Sequence, residues 1–207
     1  MKPPDDSSGS LFPVGPELPR GFIYQANFLS EQEEANLLDG IRGLPFLEFD
    51  FHGYTAKRRV VEYGLQYDFS TNKTSTTQSF PDFLLPIRER AAQFAEVKPE
   101  SLVEGIVLEY PPGAPIGWHR DAPQFGTVVG ISLLSAARMR LKPYIAGKQK
   151  SAARLKPASI LLEPRSIYVI SGPARWRFQH SIPAVTALRY SITFRTLRSG
   201  SKGSEAA

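Results

Sequence analysis

The 207-residue chain contains no cysteine. That excludes disulfide staples and thiolate chemistry, and it leaves any bound metal to histidine, aspartate and glutamate. Histidine is scarce as well, at three residues, His52, His119 and His180. No apolar run approaches the roughly 20 residues that a membrane-spanning helix needs. The opening "MKPPDDSSGS" lacks the apolar stretch of a secretory signal, so a cytoplasmic location is the expectation. No internal repeat is visible. Charge of neither sign dominates: 25 Lys+Arg stand against 20 Asp+Glu, a net charge of +5. That balance suits a polyanionic partner and equally an ordinary solvated surface.

A hydrophobic content of 42% over 207 residues is enough for one domain with a substantial core. Residues 1–19 hold Pro3, Pro4, Pro13, Pro16 and Pro19 among Asp, Ser and Gly, and a flexible lead-in is expected there. The polar "SGSKGSEAA" over 199–207 reads as a flexible tail, leaving a single domain over 20–198. Within it "GFIYQANF" has the texture of a strand. Ser30 precedes Glu33 at a capping-box spacing, and Leu37, Leu38, Ile41 and Leu44 follow at helical intervals. A second helix is expected from about Pro81, carrying Phe83, Leu84, Ile87, Ala91 and Phe94, with Pro86 kinking it or delaying its start. From Leu102 onward the chain turns to short β-branched and aromatic segments broken by Pro and Gly: "LVEGIVLEY", "TVVGISLL", "ARMRLKPY", "SILLEP", "SIYVIS", "RWRFQHSI" and "LRYSITFRT". Evenly spaced short strands predict a mainly β domain, a jelly roll with the two helices packed outside it.

Within "PGAPIGWHRD", His119 and Asp121 are two residues apart. In extended backbone they share one face, able to offer an imidazole and a carboxylate to one ion. His-x-Asp alone is too short to carry weight. His180, in "RWRFQHSIPAV", supplies the third group from a separate strand, and two histidines with one carboxylate form the facial triad of non-haem iron(II) sites. Standing alone, His180 would read as a buried structural histidine. The following "RYSITFR" changes that weighing. Alternation sets Arg189, Ser191, Thr193 and Arg195 on one face and Tyr190, Ile192 and Phe194 on the other. Two arginines on one face of a small barrel strand call for an anion, which guanidinium grips bidentately.

His119-x-Asp121, distal His180 and the spaced Arg189 and Arg195, with Tyr110 in "EYPPGAPIGWHRD" and the segment "SGPARWRFQHSIP", together resemble the AlkB family of iron(II)/2-oxoglutarate dioxygenases. The likeness runs from about Gly21 to Arg198. It implies a double-stranded β-helix, iron(II) on His119, Asp121 and His180, and 2-oxoglutarate and oxygen as cosubstrates. It also implies that Tyr110, Arg189, Ser191 and Arg195 hold 2-oxoglutarate. The sequence departs from the family at Leu108 and Ser191, where asparagine is usual. Six residues of strand span roughly 20 Å, so Arg189 is assigned to the distal carboxylate and Arg195 to the iron-proximal end.

The resemblance further implies oxidation of a substrate C–H bond, coupled to decarboxylation of 2-oxoglutarate to succinate. On an N-methylated base this releases formaldehyde. Alkylated DNA or RNA is the substrate class implied first, in DNA repair or RNA demodification. Lys57, Arg58 and Arg59 are the expected phosphate contacts, with Tyr67 and Trp118 as stacking groups; Tyr54 is a further aromatic candidate. A second basic group comprises Arg138, Arg140 and Lys142, followed by Lys148, Lys150, Arg154 and Lys156. Each basic group reads equally as a solvated face, and each aromatic as core. His52 is expected to be structural and not a ligand. A monomer without membrane contact is expected. The competing reading keeps the iron chemistry and changes the substrate to a protein side chain or small metabolite.

Overall fold

Ser30 starts the first helix, as its spacing to Glu33 predicts. Its Oγ accepts the Glu33 N–H while the Glu33 carboxylate accepts the Ser30 N–H, satisfying two donors that have no partner inside the helix. Helix α1 (Glu31–Arg42) then turns Leu37, Leu38 and Ile41 to its buried side. The second helix begins later than Pro81. A 3-10 turn at Asp82–Leu84 leads into α2 (Leu85–Phe94), with Pro86 in its first turn, where a missing N–H costs no intrahelical bond. Arg90 of α2 pairs with Glu33 and donates to the Phe28 carbonyl, tying the two helices together. The computed structural model describes residues 17–51, 54–68, 73–144 and 156–198. Most of the expected lead-in, the expected tail, His52, Lys148, Lys150 and Arg154 lie outside the described residues, as do the side chains of Tyr54 and Tyr67.

The strands are β1 (Phe22–Gln25), β2 (Leu47–Phe51), β3 (Tyr54–Asp68), β4 (Lys73–Thr76), β5 (Leu102–Tyr110) and β6 (Ile116–His119), then β7 (Phe125–Leu133), β8 (Ala137–Pro143), β9 (Ala158–Leu162), β10 (Ile167–Ile170), β11 (Phe178–Ile182) and β12 (Arg189–Leu197). They form two antiparallel sheets. The larger runs β1-β10-β7-β12-β5-β3-β2 with β4 paired to β3, and the smaller runs β6-β11-β8-β9. This is the jelly roll with flanking helices that the strand texture predicts, in the double-stranded β-helix form that the resemblance implies.

The large sheet is buried on both faces. One face carries Val107, Ile131, Ile192 and Phe194 against Leu37, Ile41, Leu84 and Ile87 of the helices. The other carries Val60, Leu108, Tyr110 and Val128 toward Met139, Leu141, Ile160 and Phe178 of the small sheet. Two segments differ from the sequence reading. Residues between the helices, for which the sequence pattern predicts no element, form β2, β3 and β4, and β3 joins the large sheet beside β5. The stretch "RWRFQHSI" is not all strand: Arg175, Trp176 and Arg177 close a short helix α3 (Gly172–Arg177) before β11 begins at Phe178.

Candidate metal centre

The small sheet brings the two distant histidines together by register. On β6 and β11, His119 lies directly opposite His180, and their rings are 4.2 Å apart between centroids. Asp121 follows from the loop after β6. One ligand atom from each of the three residues lies within 4.8 Å of the other two. His119 Nδ1 is 2.9 Å from the Gly117 carbonyl oxygen. Donation of Nδ1–H to that carbonyl leaves Nε2 as the lone-pair nitrogen, the state a metal ligand needs.

Arg195 crosses from the large sheet to hold the carboxylate. Its Nε and Nη2 donate to Asp121 Oδ1 at 3.0 and 2.7 Å, and its Nη1 donates to Glu104 Oε2 at 2.5 Å. Asp121 Oδ2 is buried with no hydrogen-bond partner and sits 3.8 Å from His180 Nε2. Burial works against the Asp121 charge, but Arg195, His180 and His119 overcome it and hold the carboxyl well below its usual range. Burial pushes His180 down to about 3, helped by His119, and lowers His119 as well. Both imidazoles are therefore neutral near pH 7, and one carboxylate oxygen is left unsatisfied between them. A divalent cation fits this donor set.

The residues expected to hold the cosubstrate lie on the inner face of the large sheet. Register pairs Arg189 with Tyr110, Ser191 with Leu108 and Arg195 with Glu104. Arg189 is 1% exposed, with its guanidinium carbon 4.9 Å from the Tyr110 ring centroid. Among the described residues only Nη2 has a partner, donating to Ser132 Oγ at 3.2 Å, and Nε and Nη1 have none. A buried guanidinium without a carboxylate is costly unless an anion completes it. The carboxylate of 2-oxoglutarate suits that need. Arg195, expected at the other end of the cosubstrate, has its donors on Asp121 and Glu104.

Four contributors had not been singled out from the sequence. Glu104 sits at the same parity as Leu108 and Tyr110 along β5, an acid on a buried face, which was the available signal. Burial raises it to about 7 against the pull of Arg195. Tyr168 on β10 is buried and lies over Gly130, where an added Cβ would come 2.1 Å from its ring; glycine alone admits the phenol there. Ser132 is the partner of Arg189. Arg175 of α3 donates from Nε to the Gly126 carbonyl and from Nη2 to the carbonyls of Asp121, Ala122 and Phe125. It thus pins the loop that carries Asp121. A cleft of about 280 Å³, lined by Arg120, Asp121, Ala122, Pro123, Arg175 and Trp176, opens beside that loop.

The expected phosphate contacts do not form one patch. Arg58 turns inward, where burial lowers its pKa and its charge bears on His119. Arg59 pairs with Glu109 at 2.6 Å on the helix side of β3. Lys57 is exposed beside the turn at Gly113. Trp118 is half-exposed and lies under the cations of Arg140 and Lys142.

The model of the 2OG-Fe(II) oxygenase superfamily matches residues 21–195. A protein of Arabidopsis thaliana named alkylated DNA repair protein ALKBH8 homolog is 28% identical over 182 residues, covering 79% of this chain and 51% of that protein. The mouse (Mus musculus) mitochondrial alpha-ketoglutarate-dependent dioxygenase alkB homolog 7 is 37% identical over 167 residues, covering 77% of this chain and 66% of that protein. The chain thus spans about half the length of the first relative and just under two thirds of the second. The solved structure of OsALKBH1 superposes with a TM-score of 0.64 at 17% identity, over 86% of this chain and 98% of that one, a likeness of fold. Among the described residues no helix is long and apolar enough to cross a membrane.

Proposed function

The chain belongs to the AlkB family of the 2OG-Fe(II) oxygenase superfamily, and we propose that it is an iron(II)/2-oxoglutarate dioxygenase that oxidatively demethylates alkylated bases in nucleic acid. One observation carries the dioxygenase reading. A buried His–Asp–His cluster with an orphaned carboxylate oxygen and a buried Arg189 with two orphaned donors occupy the same barrel interior. Each lacks what iron(II) and a dicarboxylate would supply.

When bound, iron(II) with 2-oxoglutarate and oxygen supplies oxidation of a substrate C–H bond. The protein's own part is placement. His119, Asp121 and His180 would hold the metal, and the hydrogen bond to Gly117 keeps His119 Nε2 free for it. Arg195 fixes Asp121 through Oδ1 and leaves Oδ2 for the ion. Arg189, resting on Tyr110 and held by Ser132, would receive the distal carboxylate. Ser191 and Leu108 line the same floor and are both buried, so they exclude water more than they bind.

The nucleic-acid substrate is supported by the name of the plant relative, an alkylated DNA repair protein, and by basic side chains near the site. The test is to incubate the protein with iron(II), 2-oxoglutarate and a panel of methylated oligonucleotides, measuring succinate and formaldehyde. Both should rise with at least one methylated oligonucleotide and not with its unmethylated form. The His180→Ala variant should give neither. Full turnover by that variant would remove the triad, while succinate released only with a protein or metabolite substrate would move the enzyme to the competing class.

A further inference from the structure

We propose that the outer face of the small sheet is a platform for a single strand of nucleic acid, with cations for phosphates and aromatic rings for bases. The inference rests on the nucleic-acid reading above and locates a contact that reading leaves open. Alternation divides the small sheet cleanly. His119, His180, Met139 and Leu141 face the interior, whereas Trp118, Arg138, Arg140 and Lys142 face outward. Arg120 and Tyr144 extend the outward rows, and the guanidinium of Arg120 lies 3.6 Å from the Tyr144 ring centroid. Arg140 and Lys142 lie 5.2 and 4.3 Å from the Trp118 ring centroid.

Two ordinary explanations of such a face fail here. A solvated face mixes signs, yet β6, β8, β9 and β11 contain no acidic residue. Charges on a strand often guard an exposed sheet edge, but β8 is flanked by β11 and β9 and is not an edge. Its cross-strand neighbours on that face are Leu161, Ser159, Ser181 and Gln179, none of which can neutralise it. Like charges at every second position, about 6.8 Å apart, repel one another, and an anion with a regular charge repeat running past them would relieve that repulsion. The half-exposed rings lie under these cations, and a base would stack on the guanidinium planes of such cation–ring pairs and on the open part of the rings. A phosphate backbone with unpaired bases matches both features, and an acidic peptide matches only the first. Because this face is the back of the wall that holds His119 and His180, it would anchor the strand without occupying the interior where those side chains lie.

The test is fluorescence anisotropy of an unmethylated, labelled single-stranded oligonucleotide across a salt series. It compares the intact protein with Arg138→Gln/Arg140→Gln/Lys142→Gln and with Arg138→Gln/Lys142→Gln, which keeps the Arg140 hydrogen bond to Ser181 should the triple variant fold poorly. Losing three phosphate contacts should flatten the slope of log affinity against log salt by about 2, and losing two by about 1.4. Affinity at low salt should drop at least tenfold, while metal binding and substrate-free turnover of 2-oxoglutarate stay unchanged. Trp118→Phe, which leaves Trp176 as the remaining fluorophore, should remove the greater part of the oligonucleotide's quenching of tryptophan fluorescence. Wild-type affinity and slope in the folded double variant would overturn the platform and leave demethylation standing. Competition by polyglutamate as effective as by oligonucleotide would also overturn it. An intact protein that neither binds nor demethylates any oligonucleotide would sink the platform together with the nucleic-acid substrate.

Discussion

Arg189 and Arg195 look equivalent in "RYSITFR", and the structure gives them opposite chemical situations. Arg195 is saturated by Asp121 and Glu104, whereas Arg189 keeps two buried donors without partners. Arg189→Ala should therefore act on cosubstrate binding. Removing one partner of a buried charge pair costs about 3–5 kcal/mol, so the 2-oxoglutarate concentration for half-saturation should rise a hundredfold or more. Arg189→Lys should recover little, because an ammonium lacks the planar fork. A cosubstrate titration on the metal-loaded protein checks both, and an unchanged half-saturation in either variant would place the dicarboxylate elsewhere. The two ends of this motif were legible as residues but not as roles. Nothing in the spacing says that Glu104, a separate strand away, competes for Arg195.

At the scale of elements, the site depends on one short helix that the sequence reading took for strand. The apolar and aromatic alternation of "RWRFQHSI" suits a strand, but the Ser171-Gly172-Pro173 start sets a helical turn before it. Only this turn points Arg175 back at the loop of residues 121–126. The strands from Leu102 onward were legible because they are short and bounded by turns. β3, fifteen residues long, was not, because its charged "KRR" stretch masks the alternation that buries Val60 on one face and Val61 on the other. Arg175→Met should release four carbonyls at once. A buried hydrogen bond to a charged group contributes about 1.5–3 kcal/mol, so Tm should fall by about 5 °C or more. Metal affinity should weaken by about 10–100-fold, as for other groups that support a ligand. Cobalt(II) titration followed by absorbance reads the second effect separately, and a Tm loss without it would make Arg175 purely structural.

For the whole molecule, the buried ionisable groups set an acid limit on the metal-free fold. His180, held at about 3, and His119, also lowered, stay neutral while the unfolded chain takes up protons below about 6.5. The unfolded state then binds more protons, so stability falls as pH drops through that window. Glu104, raised to about 7, works the other way. Between about pH 4.5 and 7 it is protonated when folded and ionised when unfolded, so its contribution grows as pH falls. Two histidines outweigh one carboxylate, and below about pH 4 the depressed Asp121 adds to the loss. The unfolding free energy of the metal-free protein, read from urea titrations, should decline from pH 6.5 to 4 by on the order of a few kcal/mol, and Glu104→Gln should steepen the decline. A flat profile would mean that the histidines are accessible to protons in the fold.

The ligand pair straddling β6 and β11 has a further effect. β6 is four residues long and closes the small sheet at one side, held by a single neighbour among the described residues. An ion gripping His119 and His180 across that pairing would act as a clasp on a strip that otherwise frays. Backbone amides from Ile116 to His119 should thus exchange with deuterium within seconds in the stripped protein and slow markedly once the ion is in place, an index of occupancy that requires no turnover.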